Sequence, residues 1–117
     1  MTGSEAGIRL ENRVPGADVN PYLAMAATLA GGMVGITGKL DAPRPVRTNA
    51  YELPESVAPR LPRSLDAAVE LFSRSELARD WFGSEFVDDY VTMRRWECDR
   101  YHSIVTEWER ERYFEMI

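Results

Sequence analysis

A chain of 117 residues has room for one ordinary domain. Hydrophobic residues make up 44% and charged ones 28%, enough apolar material for a packed core and too much for whole-chain disorder. Fourteen Lys+Arg against nineteen Asp+Glu leave a net charge of -5, the wrong sign for gripping phosphate backbones, so no nucleic-acid partner is expected. A single cysteine, Cys98, excludes an internal disulfide and a Cys-rich zinc site. No basic n-region and apolar h-region open the chain, and the most apolar stretch, Tyr22 to Ile36, is too short to span a bilayer. The expectation is a reduced, cytoplasmic protein without a membrane partner.

Residues 1–7 are small and polar and are expected to fray. Residues 8–14 then alternate apolar and polar, the period of a half-buried strand. Ile8, Leu10 and Val14 fall on one face of it, and Arg9, Glu11 and Arg13 on the other. Pro15-Gly16 ends the strand, and residues 18–21 read as a helix start. The helix from Tyr22 to Ala30 has almost no polar face, so it needs cover on all sides. Gly31, Gly32, Gly35 and Gly38 weaken its last turns and let another backbone come close.

Residues 41–62 hold five of the seven prolines and read as a long loop. Ser64 reads as the cap of a helix reaching about Arg74, and Ser75-Glu76 restarts a short one to Phe82. Gly83 breaks it, and Ser84 is the next expected cap. A single long helix is expected from about Glu85 to Phe114. Phe86, Tyr90, Met93, Tyr101, Ile104 and Trp108 mark one stripe of it, more readily core packing than a recognition face. The inventory is mostly α-helical with one N-terminal strand. A lone strand has unpaired backbone groups and an all-apolar helix is uncovered, so the chain reads as a piece of a larger domain.

The strongest chemical signal is Arg9-x-Glu11-x-Arg13. On a strand, side chains two apart point the same way, about 6.5–7 Å from each other. A carboxylate between two guanidiniums suits phosphoryl transfer. The carboxylate holds Mg²⁺ and the arginines neutralise phosphate oxygens. The same spacing also fits a solvated face of alternating charge. His102, the only histidine, has no second ligand at metal spacing and reads as a surface or interface residue. Cys98 has no histidine or second cysteine at a catalytic spacing and reads as inert.

The stretch from Arg9 through Asn20-Pro21-Tyr22-Leu23-Ala24, with its alanine-rich helix ending in glycines, resembles a signature of the glutamine synthetase family. Asn49-Ala50-Tyr51-Glu52-Leu53-Pro54 is similar to the loop that carries a regulatory tyrosine in some bacterial members. Leu61-Pro62-Arg63-Ser64-Leu65 and the run from Trp108 to Tyr113 resemble the family's C-terminal helical end. The wording from Glu11 to Asp18 resembles the γ-glutamylpolyamine synthetase branch.

The resemblance implies one partial domain over residues 1–117, the C-terminal portion of an α+β catalytic domain. It implies an ATP-dependent ligase that joins glutamate to an amine (ammonia or a polyamine) through γ-glutamyl phosphate, with Mg (or Mn) and ATP as cofactors, in a homo-oligomer. By similarity Glu11 is a metal ligand, Arg9 binds the ATP phosphates, Arg13 is catalytic, and Tyr51 is a possible modification site. The family's other metal ligands, glycine-rich loop and β-grasp domain have no counterpart in these residues, so the chain alone is expected to be inactive. The alternative is a noncatalytic helical interaction or oligomerisation module derived from the same family.

Overall fold

The computed structural model describes residues 7, 9–57, 59–114 and 116. They are mostly helical and form two compact units, Met1–Arg47 and Thr48–Ile117.

The first unit is built on α1 (Pro21–Thr37). The carboxamide oxygen of Asn20 caps it, accepting from the backbone N–H groups of Tyr22 at 3.0 Å and Leu23 at 3.3 Å. Pro21 sits in the first turn, where its missing N–H is harmless. The helix runs on through Gly31, Gly32 and Gly35, seven residues beyond the expected end at Ala30. It closes when the backbone N–H of Gly38 donates to the Val34 carbonyl at 2.9 Å. Ala30 is its only buried residue among those described.

The expected N-terminal strand is corrected by the structure. No strand is present among the described residues, and 9–14 lie outside regular secondary structure. Ile8, and residues 1–6 that were expected to fray, lie outside the described residues. The physical reason is pairing: alternation prepares a strand, but a ladder requires a second strand to exchange hydrogen bonds. The segment instead turns on itself, with Val14 N–H donating to the Asn12 side-chain oxygen at 3.1 Å.

The second unit begins with an irregular stretch containing a short 3₁₀ turn, Ala50–Glu52. Three helices follow: α2 (Leu65–Ser73), α3 (Glu76–Phe82) and α4 (Ser84–His102), with α2 and α3 both packed on α4. Ser64 and Ser75 cap α2 and α3 through their hydroxyls, as expected. Ser84 is not the cap of α4. Gly83 holds that position at φ 84°, with no side-chain cap. Nothing surrounds the space where a Cβ would sit, so Gly83→Ala would meet only backbone strain. The expected cost is about 1–3 kcal/mol, read as a lower urea midpoint with unchanged slope.

The core of this unit is Val69, Ala78, Val87 and Val91, with Phe72 and Phe82 packed against it. Phe72 meets Tyr90 edge-on at 5.7 Å, Tyr90 stacks on Phe86 at 5.8 Å, and Phe86 reaches Phe82 at 5.9 Å. Ion pairs fasten the rim: Arg79 with Asp88 at 2.7 Å and Arg95 with Glu70 at 3.4 Å.

The long C-terminal helix is also corrected. It stops at His102, and a separate α5 (Glu107–Tyr113) follows. The break is a capping box: Thr106 Oγ1 accepts from Glu109 N–H at 3.2 Å, and the Glu109 carboxylate accepts from Thr106 N–H at 2.8 Å. These bonds satisfy donors that a continuous helix would have used internally. The expected stripe is corrected with it. On α4 the buried residues are Val87, Val91 and Cys98, while Met93, Tyr101, Ile104 and Trp108 are exposed.

The bonds from Thr106 hold the Glu109 carboxyl below its usual range. A depressed folded value stabilises above the unfolded value, about 4.3, and that contribution is lost as pH falls through the folded value. Helicity of α5 is therefore expected to fade below about pH 4.3. Far-UV circular dichroism of wild type and Glu109→Gln checks this: the difference between them should be present at pH 6 and vanish in acid.

Candidate functional site

The site is built on the segment before α1. Glu11 Oε1 accepts from Arg13 Nε at 2.6 Å, and Glu11 Oε2 lies 3.7 Å from Arg9 Nη2. Arg9, Glu11 and Arg13 thus form one cluster, although the segment carries no ladder. Their side chains meet across single intervening residues. Both carboxylate oxygens face a guanidinium, and the cluster keeps one net positive charge.

The Glu11 side chain is 48% exposed, and those of Arg9 and Arg13 are 74% and 86% exposed. Ion pairs in such surroundings are screened and contribute at most about 1 kcal/mol each. The arrangement is therefore not held for stability. The arginines are free to turn from Glu11 toward an incoming anion, leaving the carboxylate open to a cation.

Asn12, which sequence reasoning passed over, anchors this segment. Its amide Nδ2 donates to Thr28 Oγ1 at 3.0 Å, and Thr28 Oγ1 in turn donates to the Ala24 carbonyl at 2.8 Å. Asn12 has the opposite parity to the charged residues, so it binds α1 while they face away. The signal was available: a polar residue on the apolar side of an alternating run needs a partner. Between the segment and α1 lies an open hollow of about 400 Å³, lined by Leu10, Pro15, Met25 and Leu29 among others.

The fit of a divalent cation is incomplete. Mg²⁺ takes six oxygen ligands in octahedral geometry, and Glu11 supplies one carboxylate. Among the described residues no group of three or more His, Cys, Asp or Glu side chains could hold a metal ion. Among the described residues the metal site is therefore incomplete.

Tyr51 stands on the 3₁₀ turn and is 94% exposed. Asn49 shapes that turn, accepting from Tyr51 N–H at 3.2 Å and donating to Glu52 at 3.0 Å. His102 Nε2 lies 3.5 Å from Asp66 Oδ2, a surface pair between α4 and the first turn of α2. Cys98 is buried, and desolvation, followed by the nearby Asp66 carboxylate, pushes its thiol up. Burial thus disfavours the thiolate, the nucleophilic form. No helix among the described residues is long and apolar enough to cross a membrane.

Comparison with known proteins identifies the family. The chain is 43% identical over all 117 residues to a glutamate–isopropylamine ligase of Pseudomonas sp., of which it covers 26%. It is 45% identical over 111 residues to type-1 glutamine synthetase 2 of Dictyostelium discoideum, covering 21%. It is 43% identical over 117 residues to a gamma-glutamylethanolamide synthetase of Streptomyces coelicolor, covering 25%. The chain thus spans about a quarter of the length of these relatives. Residues 1–113 match the glutamine synthetase catalytic domain, and the chain belongs to that family, corresponding to the C-terminal part of the domain.

Proposed function

We propose that this chain is the C-terminal part of the catalytic domain of an ATP-dependent ligase that forms γ-glutamyl amides, and that it needs the rest of that domain to act. The observation that carries the reading is the cluster at residues 9–13, a carboxylate 2.6 Å and 3.7 Å from two guanidiniums. In the reaction an oxygen of the glutamate side-chain carboxylate attacks the γ-phosphorus of ATP and ADP departs. The amine nitrogen then attacks the acyl carbon, phosphate leaves with the electron pair of the broken C–O bond, and the nitrogen gives up a proton.

Arg9 is assigned to the nucleotide phosphates and Arg13 to the phosphoryl group in transit, since guanidinium stays charged and offers a fork matched to phosphate. Glu11 is assigned as one oxygen ligand of Mg (or Mn), with the others contributed from outside this chain. When bound, that ion neutralises the phosphate oxygens. Residues outside this chain are assigned to complete an α+β domain around segment 9–13, and the assembly is a homo-oligomer. The acceptor is an amine, as the names of the relatives support. Tyr51, by its exposure, is the residue offered for modification.

A single-chain chimera tests the reading: this chain replaces the matched stretch of the Pseudomonas sp. ligase. Formation of γ-glutamyl amide and ADP from glutamate, ATP and a primary amine supports it. A folded chimera that makes no product, beside an active parent enzyme, overturns it. A discrete, cooperatively folded oligomer of the isolated chain together with that result would favour the noncatalytic module.

A further inference from the structure

A line of hydrogen bonds runs from the body of α1 to Arg13. Thr28 Oγ1 donates to the Ala24 carbonyl, one turn back on the helix, at 2.8 Å. With its proton committed there, the hydroxyl has only lone pairs to offer, and it accepts from Asn12 Nδ2 at 3.0 Å. The Asn12 oxygen accepts from the backbone N–H of Val14 at 3.1 Å. That N–H can only donate, so the two ends of the Asn12 amide are not interchangeable. Arg13 stands between the two tied residues, and its Nε donates to Glu11 Oε1 at 2.6 Å.

Stability does not account for this line. Asn12 is exposed and Thr28 is half-buried. The hollow around them is otherwise lined by Leu10, Pro15, Ala24, Met25 and Leu29. An apolar pair in their place would also hold the segment to α1, and it would have no polar groups to satisfy. What hydrogen bonds add is direction, since they weaken steeply away from their axis. An apolar contact lets the segment slide or turn on the helix. The turn closed by Asn12 fixes the backbone from residue 12 to residue 14, and so the point from which the Arg13 side chain reaches out.

We infer that Asn12 and Thr28 are a positioning pair for the ligase reaction, holding Arg13 beside Glu11 with α1 as the fixed reference. The inference rests on the ligase reading above and adds two uncharged residues that act through Arg13. Arg13 is the residue assigned to the phosphoryl group in transit, and misplacing such a group by about 1 Å costs up to about a hundredfold in rate.

The first measurement needs no activity. In magnetic resonance spectra of this chain, the Arg13 Nε–H is expected to stand apart from those of unpaired arginines. Thr28→Val keeps the shape and removes the hydroxyl. It should move the Arg13 resonance toward the others and speed exchange of the Val14 amide by about fivefold or more. Thr28→Ser should recover both. Thr37→Val is the control: Thr37 donates to the Met33 carbonyl at 2.8 Å near the other end of α1, so it loses the same kind of helix bond and should leave Arg13 unchanged. The second measurement uses the chimera described above. Thr28→Val should lower kcat by about tenfold with little change in KM for ATP, and the loss should shrink in the Arg13→Lys background, as coupled residues require. An Arg13 resonance indifferent to Thr28→Val, or a kcat loss of the same size in both backgrounds, overturns the inference. A folded chimera that makes no amide before any substitution overturns the ligase reading and the catalytic role with it, while the tie from Thr28 to Arg13 is still decided by the resonance of the chain.

Discussion

Glu11→Gln in the assembled ligase is expected to lower kcat by about a hundredfold or more, with little change in the folding of the chain. The substitution keeps shape and removes charge. Gln offers a neutral carbonyl where a divalent cation needs an anionic oxygen, so the affinity for Mg²⁺ falls as well. The two guanidiniums then face no carboxylate between them. The positive charge left near the site attracts ATP, so KM for the nucleotide should move less than kcat.

Stability is the control on this prediction. Glu11 is half exposed and its partners are more so, so loss of both ion pairs should cost at most about 2 kcal/mol. Arg13→Lys extends the test: it keeps the charge and loses the fork, and about a tenfold loss is expected. Steady-state assays of the chimera across a Mg²⁺ titration, with thermal melts beside them, separate the two effects. Activity of Glu11→Gln within twofold of wild type would remove Glu11 from the metal site.

The largest expected effect on stability is at Val87. It is fully buried, and it belongs to the cluster joining α2 and α3 to α4. Val87→Ala removes two methyl groups and leaves a void that close-packed neighbours fill only partly. The expected loss is about 2–3 kcal/mol, a fall of roughly 10–20 °C in melting temperature for a unit of this size. Val105→Ala removes the same atoms from a side chain 68% exposed and should stay within about 0.5 kcal/mol of wild type. Urea unfolding followed by circular dichroism reads both. Equal midpoints for the two variants would mean that the unit is not held together at Val87.

Much of the local structure was legible in the chain. Asn20, Ser64 and Ser75 mark helix starts because their side chains accept from backbone donors that no helical carbonyl can reach. Gly83 marks a stop because its backbone takes a conformation that other residues avoid. The extent of α1 was underestimated, since its glycines lower helix propensity without forbidding the helix. The break at residues 103–106 was also present in the chain as Thr106-x-x-Glu109, but the aromatic spacing running through it hid the box. Arg9, Glu11 and Arg13 were recognisable together because their spacing of two along the chain is a local property.

The sequence by itself determined which residues start and stop helices and which charged side chains share a side of the N-terminal segment, because those depend on neighbours within a few positions. Only the tertiary structure decided that Val87 and Val91, and not Met93, Tyr101, Ile104 or Trp108, face the core, since that choice depends on where α2 and α3 lie. It also decided that Asn12 fastens the charged segment to α1 through Thr28, sixteen residues away. It further left residues 9–14 without a ladder, because a strand exists only when another backbone lies beside it.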